Sequence, residues 1–147
     1  LFRVNKNNFK KNNLKADLRQ QIVDSCKMFL GVTYIWGGKS CFGIDCSGFV
    51  QIVINYVLDY SMKRDAEDQY NDSLLSEIGL KDSDKGDLFF FGDKGRITHV
   101  GINVGQGLMI HSSGLVKYNS ILNPVTEFDF KLKKQFISAK SIENILN

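Results

Sequence analysis

Cys46 is the residue of this chain whose type and position most clearly favour chemistry. It lies in the segment Asp45–Phe49, at the start of a run to Tyr60 in which apolar residues recur at the spacing of one helix face. A cysteine at a helix N-terminus faces free backbone N–H groups and the positive end of the helix dipole, which favour the reactive thiolate. We therefore expect a lowered pKa for Cys46, and faster alkylation near pH 7 than at Cys26 or Cys41.

The chain has two histidines, His99 and His111, and both lie in strand-like segments after the cysteine. If residues 105–107 form a three-residue hairpin loop, Gly101 faces His111 and the two histidines are diagonal neighbours on one face of the sheet. A two-residue loop would shift the register by one residue and place them on opposite faces. The first register predicts a cysteine nucleophile, with His99 as its general base and His111 orienting His99.

The composition is that of one globular domain. The chain has 147 residues, of which 43% are hydrophobic and 12% aromatic, enough to bury a core. It contains no apolar run long enough to span a membrane and no signal-peptide pattern. Three cysteines leave at least one thiol free, and we expect Cys26 to be buried on a helix face and Cys41 to be free rather than bonded to it.

The net charge of +3 is unevenly distributed along the chain. Residues 1–16 carry five basic residues and no acidic one, and we interpret them as a basic polar lead-in or linker before a catalytic domain at 17–147. The alternative is contact with an anionic surface such as a wall polymer or phosphate. No basic and aromatic nucleic-acid motif accompanies these residues, so binding to DNA or RNA is not expected.

Periodicity and turn residues predict helices in the first half of the chain and short strands in the second. The first helix is expected to follow an N-cap at Asn13 and to end near Gly31, and the second to run from about Cys46 to about Leu58. A short helix is expected near 64–76, and strands at 88–91, 98–104, 108–112, 115–119 and 136–139. This order predicts an α+β fold, with N-terminal helices packed on a mainly antiparallel sheet of about five or six strands.

Five segments, in order along the chain, together resemble the NlpC/p60 family of bacterial cell-wall cysteine peptidases. They are Tyr34–Gly38, Asp45–Phe49, Lys85–Phe90, Thr98–Ile102 and Ile110–Ser112, and the resemblance extends over residues 17–140. Each segment alone is a weak signal, whereas all five in this order are a specific one.

The resemblance implies a papain-like fold and a cysteine-type endopeptidase. It implies Cys46 as nucleophile, His99 as base and His111 as the orienting residue, with no metal or other cofactor. The implied substrates are the stem peptides of peptidoglycan, often cleaved between γ-D-glutamate and a diamino acid.

The resemblance also implies which residues contact the substrate. Tyr34, Asp45 and Ser47 would line the substrate site, with Asp45 binding a free L-alanine amine. The Tyr34 hydroxyl and the backbone N–H of Cys46 would stabilise the oxyanion. For Trp36, in the same aromatic and glycine-rich segment, we expect packing in the core.

One family pattern is only partly present. Between the helix and the sheet the family often has Arg-x-Ser/Thr-x-x-Gln; here Arg64 and Gln69 match, but Ala66 occupies the hydroxyl position. Arg64 is expected to contact substrate, and the alternative is a surface ion pair with Asp65 or Glu67.

Three other interpretations remain open at this point. Two cysteines and two histidines have the residue types of a zinc site, namely Cys41, Cys46, His99 and His111. A second interpretation keeps the thioester but makes the protein an amidase or acyltransferase. The third is a non-catalytic wall-binding module.

The resemblance implies peptidoglycan stem peptides or muropeptides as partners, and a place in the bacterial cell envelope or outside the cell. We expect a monomer. Many relatives carry SH3-type wall-binding domains before the catalytic part; none is recognisable in residues 1–16, and a separate wall-targeting domain upstream is compatible with the resemblance.

Overall fold

The computed structural model describes residues 6–122 and 126–147, which form an α+β domain. The helices are α1 Lys6–Lys27, α2 Cys46–Leu58, α3 Ala66–Tyr70 and α4 Phe130–Gln135, with a 3-10 turn at Leu80–Asp82. The strands are β1 Lys39–Ser40, β2 Gly43–Ile44, β3 Ser76–Ile78, β4 Leu88–Asp93, β5 Arg96–Gly105, β6 Leu108–Ser113, β7 Leu115–Asn119 and β8 Phe136–Ser141.

Six strands form one antiparallel sheet in the order β3-β8-β4-β5-β6-β7, while β1 and β2 pair separately as a small hairpin. This confirms the predicted fold class and the predicted number of strands. Among the helices of the described ranges, none combines the length and apolar composition that a bilayer crossing requires.

The main core lies between one face of the sheet and the helices α1 and α2. Buried side chains from both layers meet there, among them Ile22, Cys26, Phe49, Val53, Phe90, Val100, Ile102 and Ile110. A smaller cluster covers the opposite face of the sheet, formed by Phe89, Phe91, Met109, Ile121 and Ala139. Burial of Cys26 agrees with its predicted place on the apolar face of α1, and the thiols of Cys26 and Cys41 are both free.

Helix α1 begins earlier than the sequence indicates. It starts at Lys6, so Asn13 lies inside the helix and the predicted N-cap is wrong. Leu14 lies at the helical spacing that Leu18, Ile22 and Cys26 continue, but its side chain is 59% exposed. Asparagine is a common N-cap residue, but the lysines before and after Asn13 are good helix formers, and the helix extends past Asn13 toward the N-terminus. The division predicted between residues 16 and 17 therefore falls within one helix.

The predicted bounds of α2 are confirmed, because its two ends carry strong local signals. Asp45 has extended backbone angles and accepts a hydrogen bond from the Gly48 N–H at 2.7 Å, as an N-cap does. At the other end Asp59 adopts the left-handed conformation, with φ 51°, and its N–H bonds to the Asn55 carbonyl.

The hairpin between β5 and β6 has the predicted register near the histidines. Its loop length differs from the prediction. Ile102 pairs with Ile110 and Asn103 with Met109, as expected, but Gly105 rather than Val104 pairs with Leu108. The loop therefore has two residues instead of the predicted three. The register shift between Asn103 and Gly105 places an extra residue in β5 and compensates for the shorter loop.

Candidate active site

The start of α2 is held tightly against the segment that precedes it. The Asp45 N–H bonds to the Gly38 carbonyl at 3.1 Å, and a Cβ atom on Gly48 would lie 2.6 Å from the same oxygen. Only glycine therefore fits at the third position of the helix. Ser112 donates to the Ile44 carbonyl at 2.7 Å and so joins the strand that carries His111 to the chain just before Cys46.

Burial reverses the pKa shift that the sequence predicts for Cys46. The side chain is 8% exposed, and loss of water raises the pKa of its thiol. The nearby Asp45 carboxylate raises the pKa further, while backbone N–H groups, including that of Val100, lower it. The raising effects prevail, so the expected lowered pKa is wrong and the resting side chain is a neutral thiol.

The two histidines lie side by side on one face of the sheet. His99 Nε2 is 2.7 Å from His111 Nδ1, within hydrogen-bond distance, and the two rings are nearly perpendicular at 77°. Gly101 makes this close approach of β5 and β6 possible, since a Cβ atom there would lie 3.1 Å from His111 Cβ. His111 is 1% exposed, whereas His99 is half-buried.

Both imidazoles are neutral at physiological pH. Burial lowers the pKa of His99 most, followed by the effects of His111 and Lys117. Burial also lowers the pKa of His111, with Lys117 acting in the same direction, although Asn119 and Asp129 oppose it. A neutral imidazole has one ring nitrogen without a proton, as a general base requires.

Asn119 extends this pair, and sequence reasoning missed it. Its Oδ1 lies 2.8 Å from His111 Nε2, and its Nδ2 donates to the Glu127 carbonyl at 3.1 Å. Asn119 is the last residue of β7, two positions beyond Lys117, which pairs with His111 across the two strands. The one sequence signal is that Asn119 lies two residues after Lys117 in a predicted strand, so that both side chains point to the same face of the sheet.

Arg64 contacts Asp45 rather than its sequence neighbours. Its two terminal nitrogens lie 3.0 and 2.6 Å from the two oxygens of Asp45, and one of them also donates to Ser47 Oγ at 3.1 Å. The alternative ion pair of Arg64 with Asp65 or Glu67 is therefore wrong. Burial alone would raise the pKa of Asp45, but hydrogen bonds from Arg64, Gly48 and Gly37 outweigh it and leave the pKa lowered.

Gln69 fixes the segment that carries Arg64. The side chain is fully buried and donates to the backbone carbonyls of Ser47 and Lys63, at 3.0 and 2.8 Å. The matching Arg and Gln of the sequence pattern thus both bind the first turn of α2.

A cleft of about 650 Å³ opens next to Cys46. All of the predicted substrate-site residues line it, namely Tyr34, Asp45, Ser47 and Arg64. Trp36, Asp65, Glu67 and Arg96 also line the cleft. Trp36 is 88% exposed, so its predicted place in the core is wrong. Trp36 lies in a turn in which the Gly38 N–H donates a hydrogen bond to the Ile35 carbonyl at 2.8 Å. The indole ring projects from that turn.

The four residues considered as zinc ligands do not form a metal site. Within 6–122 and 126–147, no group of three or more His, Cys, Asp or Glu side chains is arranged to hold a metal ion. Cys41 is exposed, in the β1–β2 hairpin, whereas Cys46 is buried at the start of α2.

Comparison with known protein families matches residues 31–132 to the NlpC/P60 family. The chain belongs to the NlpC/P60 family. The matched region contains Cys46, both histidines and every predicted substrate-site residue. The predicted family membership is therefore confirmed.

Relatives of this NlpC/P60 domain include a dipeptidyl-peptidase. The chain is 42% identical over 106 residues to a gamma-D-glutamyl-L-lysine dipeptidyl-peptidase of Bacillus subtilis (strain 168), a match that covers 70% of this chain and 35% of that protein. The chain thus spans about a third of the length of this curated relative.

Solved NlpC/P60 structures share the fold. An NlpC/P60 family protein from Bacillus cereus ATCC 10987 superposes with a TM-score of 0.73 at 29% identity, covering 84% of this chain and 40% of that one. The NlpC/p60 domain of the peptidoglycan hydrolase SagA gives a TM-score of 0.69 at 29% identity, covering 84% of this chain and 97% of that one. These similarities confirm the papain-like NlpC/P60 fold.

Proposed function

We propose that this NlpC/P60 domain is a cysteine peptidase that hydrolyses peptidoglycan stem peptides at the bond between γ-D-glutamate and a diamino acid. One observation carries the proposal: a cysteine at the start of a helix and a hydrogen-bonded histidine pair occur in a chain 42% identical to a gamma-D-glutamyl-L-lysine dipeptidyl-peptidase. The cleft beside Cys46 gives a peptide access to the thiol.

In the proposed mechanism, His99 removes the thiol proton while Cys46 Sγ attacks the carbonyl carbon of the γ-glutamyl amide. The backbone N–H of Cys46 and the Tyr34 hydroxyl stabilise the oxyanion. The C–N bond then breaks, and His99 returns its proton to the departing amine of the diamino acid. A thioester remains on Cys46, and water activated by His99 hydrolyses it to release the glutamate side-chain carboxylate.

The neutral resting state suits this sequence of steps. Burial opposes a lone charge on either Cys46 or His99. Proton transfer creates a thiolate and an imidazolium together, so each new charge is stabilised by the other. His111 Nδ1 lies within hydrogen-bond distance of His99 Nε2 and keeps the His99 ring in place during both transfers.

Asp45 has little spare capacity for a substrate amine. Its two oxygens already accept from two backbone N–H groups and two guanidinium nitrogens, which fills the four lone-pair directions of a carboxylate. An L-alanine amine that binds Asp45 has to replace one hydrogen bond from Arg64. We propose that Arg64 and Ser47 shape this end of the cleft, with Asp65 and Glu67 adding negative charge.

The proposed substrate places the protein at the bacterial wall, in the envelope or outside the cell. We propose a monomer that acts on stem peptides or muropeptides. The chain spans only part of the length of its longer relatives. We also propose a wall-targeting domain on the same protein.

The test is mass spectrometry of defined wall peptides, such as L-Ala-γ-D-Glu-L-Lys and its diaminopimelate counterpart. Wild type and the Cys41→Ala control should release L-Ala-D-Glu, whereas Cys46→Ala should release none. Equal cleavage by Cys46→Ala contradicts the mechanism. Lack of cleavage by wild type, or transfer of the acyl group to an added amine in place of hydrolysis, contradicts the proposed reaction.

A further inference from the structure

Asn119 lies at the far end of the hydrogen-bonded chain that begins at His99. We propose that Asn119 is a positioning residue that sets the ring proton of both histidines, so that His99 Nδ1 is left unprotonated and ready to accept the Cys46 proton. The proposal rests on the proposed function only where it concerns activity, because ring-proton positions can be measured without substrate.

The direction of each hydrogen bond follows from Glu127. The Glu127 carbonyl can only accept, so the Asn119 group 3.1 Å from it is the amide Nδ2. The amide oxygen of Asn119 then faces His111 Nε2 at 2.8 Å. Because that oxygen also can only accept, the Nε2 of His111 carries the proton.

The same reasoning continues to His99. A neutral imidazole carries one ring proton, so His111 Nδ1 is an acceptor. The nitrogen 2.7 Å away, His99 Nε2, must therefore donate, which leaves the lone pair on His99 Nδ1. Without the Asn119 oxygen, His111 can place its proton on Nδ1 instead, and His99 then reverses its own tautomer and loses the basic nitrogen.

Asn119 is also well placed for substitution. It is half-buried and ends β7, the edge strand of the sheet, outside the two buried apolar clusters. Asn119→Leu keeps the number and branching of the side-chain heavy atoms and removes the acceptor, while Asn119→Asp keeps an acceptor. Tyr118→Leu is the matched control, since it changes the neighbouring residue of β7, whose side chain points to the other face.

The first measurement is nitrogen-15 NMR of the histidine rings, which is simple because the chain has two histidines. Long-range correlations show which ring nitrogen is protonated. Near pH 7.5, wild type, Asn119→Asp and Tyr118→Leu should all have neutral rings with the proton on Nε2. Asn119→Leu should show a population with the proton on His99 Nδ1.

The second measurement is the pH profile of kcat/KM on the wall peptide. Loss of one net hydrogen bond should lower kcat/KM of Asn119→Leu about three- to tenfold, whereas Asn119→Asp should stay within about threefold of wild type at its optimum. The acidic limb for Asn119→Asp should move to higher pH, because a carboxylate favours the protonated histidines. The other charged groups acting on the pair, Lys117 and Asp129, are unchanged in these variants.

The outcomes separate this proposal from the proposed function. A proton on His99 Nδ1 in wild type overturns the role of Asn119, as does an Asn119→Leu protein with unchanged tautomers and unchanged kcat/KM. If wild type cleaves no wall peptide, the proposed function fails while the spectra still decide the tautomers. Circular dichroism checks folding, and if Asn119→Leu does not fold, the wild-type spectrum and the Asn119→Asp pH profile decide the question.

Discussion

Cys46 is subject to two opposing effects, of which one is visible in the sequence. Its place at the start of α2 brings helix N–H groups near the sulfur, an interaction worth about 0.3–1 kcal/mol for a charge. Burial removes water from the same group, and for a charge that penalty reaches several kcal/mol. The larger effect determines the direction, so the pKa is raised although the helix position is as predicted.

The raised pKa of Cys46 can be measured by alkylation. In Cys41→Ala, Cys46 is the more accessible of the two remaining thiols, because it is 8% exposed and lines the cleft, whereas Cys26 is fully buried. The iodoacetamide rate should increase with pH around a midpoint above about 8.5, the ordinary value for cysteine. The modified residue is identified by peptide mapping, and a rate that is already at its plateau below pH 7 contradicts the neutral thiol.

The β5–β6 hairpin determines whether the two histidines meet. A two-residue loop without compensation would have separated them, but the irregularity between Asn103 and Gly105 keeps them on one face. Gly105 and Gly107 are the sequence signal for a turn, because glycine readily adopts positive φ. In the structure their φ values are 90° and 76°. The sequence does not show how the extra residue is divided between loop and strand, because both arrangements use the same residues.

This neutral histidine pair predicts loss of stability in mild acid. The folded-state pKa of each histidine lies below the unfolded value of about 6.5, so the unfolded chain binds more protons as the pH falls through that value. The stability is complete above pH 6.5 and decreases below it. From pH 7 to pH 5 the free energy of unfolding should fall by about 1–2 kcal/mol for His99, whose pKa burial lowers to about 3, and His111 should add to this fall.

Urea unfolding at the two pH values checks this, with His111→Gln as the comparison. The variant should lose a distinctly smaller part of its stability over the same interval. The lowered pKa values of Asp45 and Glu143 place their titration below this window, so they do not mimic the effect. An equal fall in wild type and variant contradicts the assignment to the histidines.

Across the whole molecule, features with local signals could be predicted from the sequence. The cap at Asp45 and the apolar spacing after it define α2. The alternation around His99 and His111, together with the assumed register of the hairpin, predicted that both lie on one face. The order of helices and strands was sufficient for the fold class. The proposed roles of Cys46, His99 and His111 follow from these features and from the family.

The remaining features depend on contacts between distant parts of the chain, which leave no local pattern. Arg64 binds Asp45 across 19 positions, in preference to the acidic residues beside it. In the same way, Arg19 of α1 binds the buried Asp87 at 3.0 Å, a pair that spans 68 positions and helps to join α1 to the sheet. Trp36 is exposed because it lies in a turn that is closed by a hydrogen bond between backbone groups. Its aromatic side chain therefore gave no indication that it lies at the surface.

Attack of Cys46 on the γ-glutamyl carbonyl can be observed by trapping the thioester intermediate. Wild type mixed with excess L-Ala-γ-D-Glu-L-Lys is quenched in acid within the first turnovers, and its intact mass and peptide map are recorded. We predict an added L-Ala-D-Glu acyl group on the peptide that contains Cys46, absent from the peptides of Cys26 and Cys41 and absent from Cys46→Ala. Release of product by a Cys46→Ala protein, or an acyl group attached to any other residue, would exclude Cys46 as the nucleophile.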